Sequence, residues 1–110
     1  VNRYAAAGIA ADAAQGRRVL VLSRTHAESS GAFPQVAGAF NPAEVTRSTR
    51  SSGRMRIVHK SGGRVVFLAY TSRSLRGQSA DVVYADNVDI RHPDYDGLWP
   101  LQQAGCEVIE

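Results

Sequence analysis

The sequence predicts an α/β domain, a small three-layer sandwich built on a mostly parallel sheet with one β-hairpin. Three observations carry this prediction. First, Val19–Leu22, Val65–Tyr70 and Val82–Ala85 are short, continuous apolar runs rich in β-branched residues, the pattern of strands buried on both faces. Second, an alanine-rich helical stretch precedes the first run by only a few residues, a connection of ordinary α-to-β length. Third, Ser61-Gly62-Gly63 separates two β-rich runs, which is a hairpin signal. With 110 residues the chain makes a single domain, 1–110, near the lower size limit for such a fold.

The elements follow in order. Asn2 to Gln15 is a helix that Asn2 caps, and Gly16 ends it with a left-handed residue. Its alanines allow close approach to a sheet, with Ile9 as the one large apolar contact. Val19–Leu22 is then a buried strand with the polar turn Ser23–His26 at its C-terminal end. Gly31, Pro34 and Gly38 break up Ala27–Phe40, so only a short helix over Phe33–Phe40 is expected there. Glu44–Arg56 is polar and patterned for neither helix nor strand, and it reads as a mobile loop. Met55–Lys60 and Arg64–Tyr70 form the hairpin arms. Ser72–Asp81 is a polar loop, and Val82–Asp86 is a strand closed by a carboxylate. Asp89–Gly97 is acidic and turn-rich, with Pro93 inside it; Leu98–Ala104 reads as a short helix and Cys106–Ile109 as a last strand.

Composition narrows the function classes. At 44% hydrophobic and 21% charged residues the chain has the balance of an ordinary globular domain. It carries neither a long apolar span nor a signal-peptide pattern, so no membrane association and a cytoplasmic location are expected. The lone Cys106 has no partner for an internal disulfide and lies in an apolar segment, which fits a buried, inert thiol. His26, His59 and His92 are far apart and lack ligand spacing, so no structural metal site is predicted. Asp89, Asp94 and Asp96 lack the register of a calcium loop.

Charge is distributed unevenly. Nearly all the basic residues lie between Arg17 and Arg76, most acids lie from Asp81 onward, and the net charge is +3. Arg47, Arg50, Arg54 and Arg56, with Arg73 and Arg76 further on, are the candidates for contact with nucleic-acid phosphates, provided they share a face. Asp86 is the candidate metal ligand, because ligands of open α/β sheets bind beyond the C-terminal ends of the strands.

The succession of helix, Arg18–Ser23 strand, Ser61–Gly63 hairpin turn, Ser72–Asp81 with its Ser-x-x-Arg-Gly-x-x-x-Asp-like spacing, and Val82–Asp86 resembles the ATPase core of phage terminase large subunits and related P-loop ATPases. The resemblance covers nearly the whole chain. It implies that Val82–Asp86 corresponds to the Walker B strand, with Asp86 as its metal carboxylate. Two departures bear on activity. No G-x-x-x-x-G-K-[ST] occurs in these residues, where Val1, Asn2 and Arg3 stand about where its last residues would be. Asn87 occupies the position of the glutamate that activates water in the family, and an amide is no general base.

The resemblance therefore implies a non-catalytic ATPase-fold protein that binds nucleic acid or a protein partner, with no cofactor expected. Its alternatives are one part of an active DNA-translocating ATPase that takes its phosphate loop from upstream or from a partner, using Mg2+ with ATP, and a structural interaction scaffold. In the family, the strand before the phosphate loop lies beside the Walker B strand. Without it, Val82–Ala85 is expected to have an unpaired edge, covered by a homo-oligomer or a protein partner unless Cys106–Ile109 folds back onto it.

Overall fold

The computed structural model describes residues 2–50, 55–69, 80–86 and 107–109, which form an α/β domain. Helix α1 spans Arg3–Ala14. The Asn2 Oδ1 accepts a 2.8 Å hydrogen bond from the Ala5 N–H, and Gly16, at φ +85°, ends the helix. Ala6, Ile9, Ala10 and Ala13 are its buried residues, at the spacing that brings side chains onto one helical face. Three residues later β1, Arg18–Ser23, runs back beneath it.

Helix α2, His26–Ala37, is longer than the sequence predicts and runs through Pro34. Thr25 caps it, its hydroxyl accepting from the Glu28 N–H at 3.1 Å. Proline at position 34 removes the donor that would reach the Ser30 carbonyl. That carbonyl instead accepts a 3.3 Å hydrogen bond from Arg50 Nη2, whose guanidinium also lies 5.5 Å from the Phe33 ring centroid. A side chain twenty residues away thus offsets part of the cost of the proline.

A 3-10 turn at Pro42–Glu44 leads into β2, Val45–Thr49. This strand corrects the first part of the expected mobile loop over Glu44–Arg56, of which residues 51–54 lie outside the described residues. Its own residues are mostly exposed and carry no strand pattern, but it is held by antiparallel pairing to β3, Arg56–His59, with a bulge between Val45 and Arg47. Strands β3 and β4, Arg64–Ala69, form the predicted hairpin, with Gly62 at φ +93° in its turn. His59 ties the 3-10 turn to the hairpin. Its Nδ1 accepts from the Ser61 N–H at 3.0 Å, which leaves the proton on Nε2 to be donated to Glu44 Oε2 at 3.0 Å.

Strand β5 is Val82–Asp86 and β6 is Glu107–Ile109, giving the sheet order β2-β3-β4-β1-β5-β6. The sheet is mixed. The pairs β4–β1, β1–β5 and β5–β6 are parallel, and the hairpin side adds two antiparallel pairs. Pairing of Val82, Val83 and Tyr84 with Glu107, Val108 and Ile109 corrects the expectation of a bare β5 edge. The chain fills that position itself, so the edge gives no reason to invoke an oligomer or a partner.

Both helices pack on one face of the sheet, where Val19, Val21, Ile57, Val65, Phe67 and Val82 join Ile9, Phe33 and Val36 in the core. On the opposite face Leu20, Leu22, Leu68, Val83 and Ala85 are buried as well. Near the N-terminal ends of β1 and β5, Asp81 accepts hydrogen bonds from the Arg18 side chain and backbone N–H. The Arg18 side-chain bond, followed by the backbone one, holds the Asp81 carboxyl below its ordinary pKa. A carboxyl depressed by folding adds stability above its unfolded pKa of about 3.9 and loses it as pH falls through the folded value. Because both partners are about two-fifths exposed, Asp81→Asn is expected to cost under about 1 kcal/mol at neutral pH. Denaturation at pH 7 and pH 3 checks this: the gap to wild type should shrink at the lower pH.

The expected Ser72–Asp81 loop falls outside the described residues apart from its last two, and Asp89–Gly97, the Leu98–Ala104 helix and Cys106 fall outside them entirely.

Candidate nucleic-acid interface

Register decides which arginines share a surface. Arg47 stands opposite Val58, which pairs with Arg64; Thr49 stands opposite Arg56, which pairs with Val66. Directly opposed residues in a sheet project to the same side, so Arg47, Arg56 and Arg64 project from one face of the hairpin half of the sheet. Adjacent strands are about 4.8 Å apart, which puts the Arg47 and Arg64 backbones about 10 Å from each other with Arg56 between them one row along. Arg47 and Arg56 are exposed and Arg64 is half-exposed. Among the described residues none of the three takes part in an ion pair.

Arg18 continues the same row on β1, next to Arg64, but its charge is met by Asp81 at 3.1 Å. Arg50 departs from the predicted set. Its guanidinium turns to the helix side, onto Ser30 and Phe33, where it serves α2. Arg54, Arg73 and Arg76 lie outside the described residues. Arg64 joins Arg47 and Arg56 only through two strand registers, a relation that spacing along the chain does not display.

A second locus lies at the C-terminal ends of the parallel strands, where Ser23, Ala69 and Asp86 are in register. A twelve-residue helix is about 18 Å long and a six-residue strand about 20 Å. With a three-residue connection between them, α1 therefore begins at this same end of the sheet. The Ser23 hydroxyl is buried there without a hydrogen-bond partner among the described residues. Asp86 closes β5 beside it, and no cluster of three His, Cys, Asp or Glu side chains forms among the described residues.

No family model matches the chain, and a search of curated proteins returns no match. The described helices include none long and apolar enough to cross a membrane.

Proposed function

We propose that the chain is a non-catalytic module, similar in build to the ATPase core of phage terminases, that acts by binding DNA through the arginine face of its hairpin. The observation that supports this most directly is the placement of Arg47, Arg56 and Arg64 on one face, without carboxylate partners among the described residues. Arginines arranged so can meet successive phosphates without reading bases, which gives weak binding with little sequence preference. The three-layer form expected of that family is supported by the burial of Leu20, Leu22, Leu68 and Val83 on the face opposite α1 and α2, and the mostly parallel sheet by the parallel pairs β4–β1, β1–β5 and β5–β6. Fluorescence-anisotropy titration of duplex and single-stranded DNA tests the proposal: binding at low salt, lost on replacing the three arginines with glutamine, is the expected result. Equal binding by the wild type and the triple variant would remove its basis.

A second reading rests on the other locus. The buried Ser23 hydroxyl beside the end of β5, which has no hydrogen-bond partner among the described residues, suits a site that a phosphate or a hydrated metal ion completes, as in one part of an ATPase whose phosphate loop is supplied from elsewhere. In that reading Mg2+ would carry the nucleotide's charge, Asp86 would hold it and Ser23 would donate to its shell. For these residues by themselves, which contain no phosphate loop, ATP with magnesium is expected to bind no tighter than about millimolar, roughly −4 kcal/mol, and to show no turnover. Calorimetry on wild type and Asp86→Ala checks this. Micromolar affinity abolished by the substitution would favour the second reading over the first.

A further inference from the structure

Strand β2 ends the sheet order and, among the described residues, pairs on one side only. The hydrogen bonds around the hairpin settle which of its groups are free. His59 N–H donates to the Gly63 carbonyl and Phe67 N–H to the Met55 carbonyl, so odd-numbered residues of β3 address β4. Arg56 and Val58 then address β2, and their partners Thr49 and Arg47 bond back to them. By the same alternation Ser48 turns its N–H and C=O to the open edge.

Ser48 and its partner Ile57 lie on the helix side, where Ala37, Pro42, Val45, Thr46 and Arg47 complete a groove of about 330 Å³ running beside that edge. By register Arg47 starts from the other side of the strand, as does Arg56 one strand in, and both arginines are exposed. An added strand would therefore meet a partly apolar trough with one set of alternate side chains and a cationic surface with the other. A second copy of this chain fits poorly. Antiparallel pairing of two β2 edges would bring Arg47 of each copy onto the same face within diagonal reach, and like charges so placed repel. DNA has no peptide groups with which to continue a ladder.

We propose that the β2 edge is a docking site for an acidic, extended peptide segment of another protein, which adds as a seventh strand with its apolar side chains in the Ala37–Ile57 groove and its carboxylates over Arg47 and Arg56. Main-chain bonding to Ser48 gives attachment, and the alternation of acidic and apolar side chains gives selectivity. The site shares Arg47 and Arg56 with the DNA proposal and differs from it in needing the strand edge as well as the arginine face.

The probe is an acetylated octapeptide of alternating glutamate and valine, titrated into the whole chain and followed by amide NMR. Binding should shift and protect the Ser48 amide. It should weaken at least tenfold for the same peptide N-methylated at alternate residues, for a lysine–valine peptide, and for Arg47→Glu. Since N-methylation leaves the protein untouched, its effect is free of any folding defect. Four results would overturn the proposal: no binding, a Ser48 amide unchanged at saturation, equal affinity of the N-methylated or lysine peptide, or a dimer formed through β2 without peptide. Binding that N-methylation spares but DNA abolishes would assign the peptide to the arginine face and equally reject the edge site.

Discussion

Gly63→Ala is expected to destabilise the domain by about 3 kcal/mol or more, at the top of the usual range for overpacking. A Cβ at this position would lie 1.9 Å from the Ala13 carbonyl oxygen and 2.7 Å from its carbon, and both atoms are backbone. No rotamer relieves such a contact, so either α1 or the start of β4 must move. Movement is costly on both sides. The Ala13 carbonyl also accepts a 2.7 Å hydrogen bond from the Ser61 hydroxyl, and Ala13, Ile9 and Ala6 are fully or almost fully buried. For a small domain holding about 5–15 kcal/mol in all, a loss of this size removes a large share of its stability. Two other glycines serve as controls. Gly62→Ala meets open space but sits at φ +93°, so it should cost only about 1–2 kcal/mol. Gly31→Ala, exposed on α2 with nothing within 4 Å, should be neutral or stabilising by up to about 1 kcal/mol. Urea denaturation followed by circular dichroism measures all three, and a Gly63→Ala midpoint close to wild type would show that α1 does not sit where this packing requires.

The contact also illustrates what the sequence could and could not reveal. The small residues of α1 were legible as a means of close approach, and the buried runs of β1, β4 and β5 were legible because burial on both faces leaves an uninterrupted apolar string. Gly62, at φ +93°, announced the hairpin through backbone conformation, while the close approach of Gly63 to Ala13 is visible only in the fold. The full length of α2 was hidden, because Pro34 reads locally as a breaker and its remedy, the Arg50 guanidinium on the Ser30 carbonyl, comes from a residue just past β2, twenty positions away. Strand β2 was hidden for a related reason: its three central residues are all exposed, so periodicity is absent and only pairing with β3 makes it a strand. Closure of the β5 edge by three residues near the chain end depends on a long-range pairing that no local pattern encodes. At the candidate interface, sequence proximity grouped Arg50 with Arg47 and Arg56. Strand alternation separates them, and register brings in Arg64 instead.

That regrouping leads to the sharpest expectation for DNA binding. Each phosphate neutralised on duplex DNA contributes about 0.9 to the slope of log affinity against log salt. If Arg47, Arg56 and Arg64 each meet one phosphate, their joint replacement by glutamine should flatten the slope by about 2.7, and the affinity they contribute should fall about 40-fold between 50 and 200 mM salt. The effect should be the same for unrelated sequences, because contacts to phosphate carry no base information. Arg50→Gln separates this arrangement from a general effect of basic charge. Its side chain is engaged with Ser30 and Phe33 on the helix side, so its loss should lower thermal stability through the Pro34 region of α2 and leave the salt slope nearly unchanged. Anisotropy titrations across a salt series with wild type, the triple variant and Arg50→Gln provide the comparison. A slope that drops as much for Arg50→Gln as for any one of the three face arginines would mean that DNA samples total charge, and the hairpin face would lose its claim to be the binding surface.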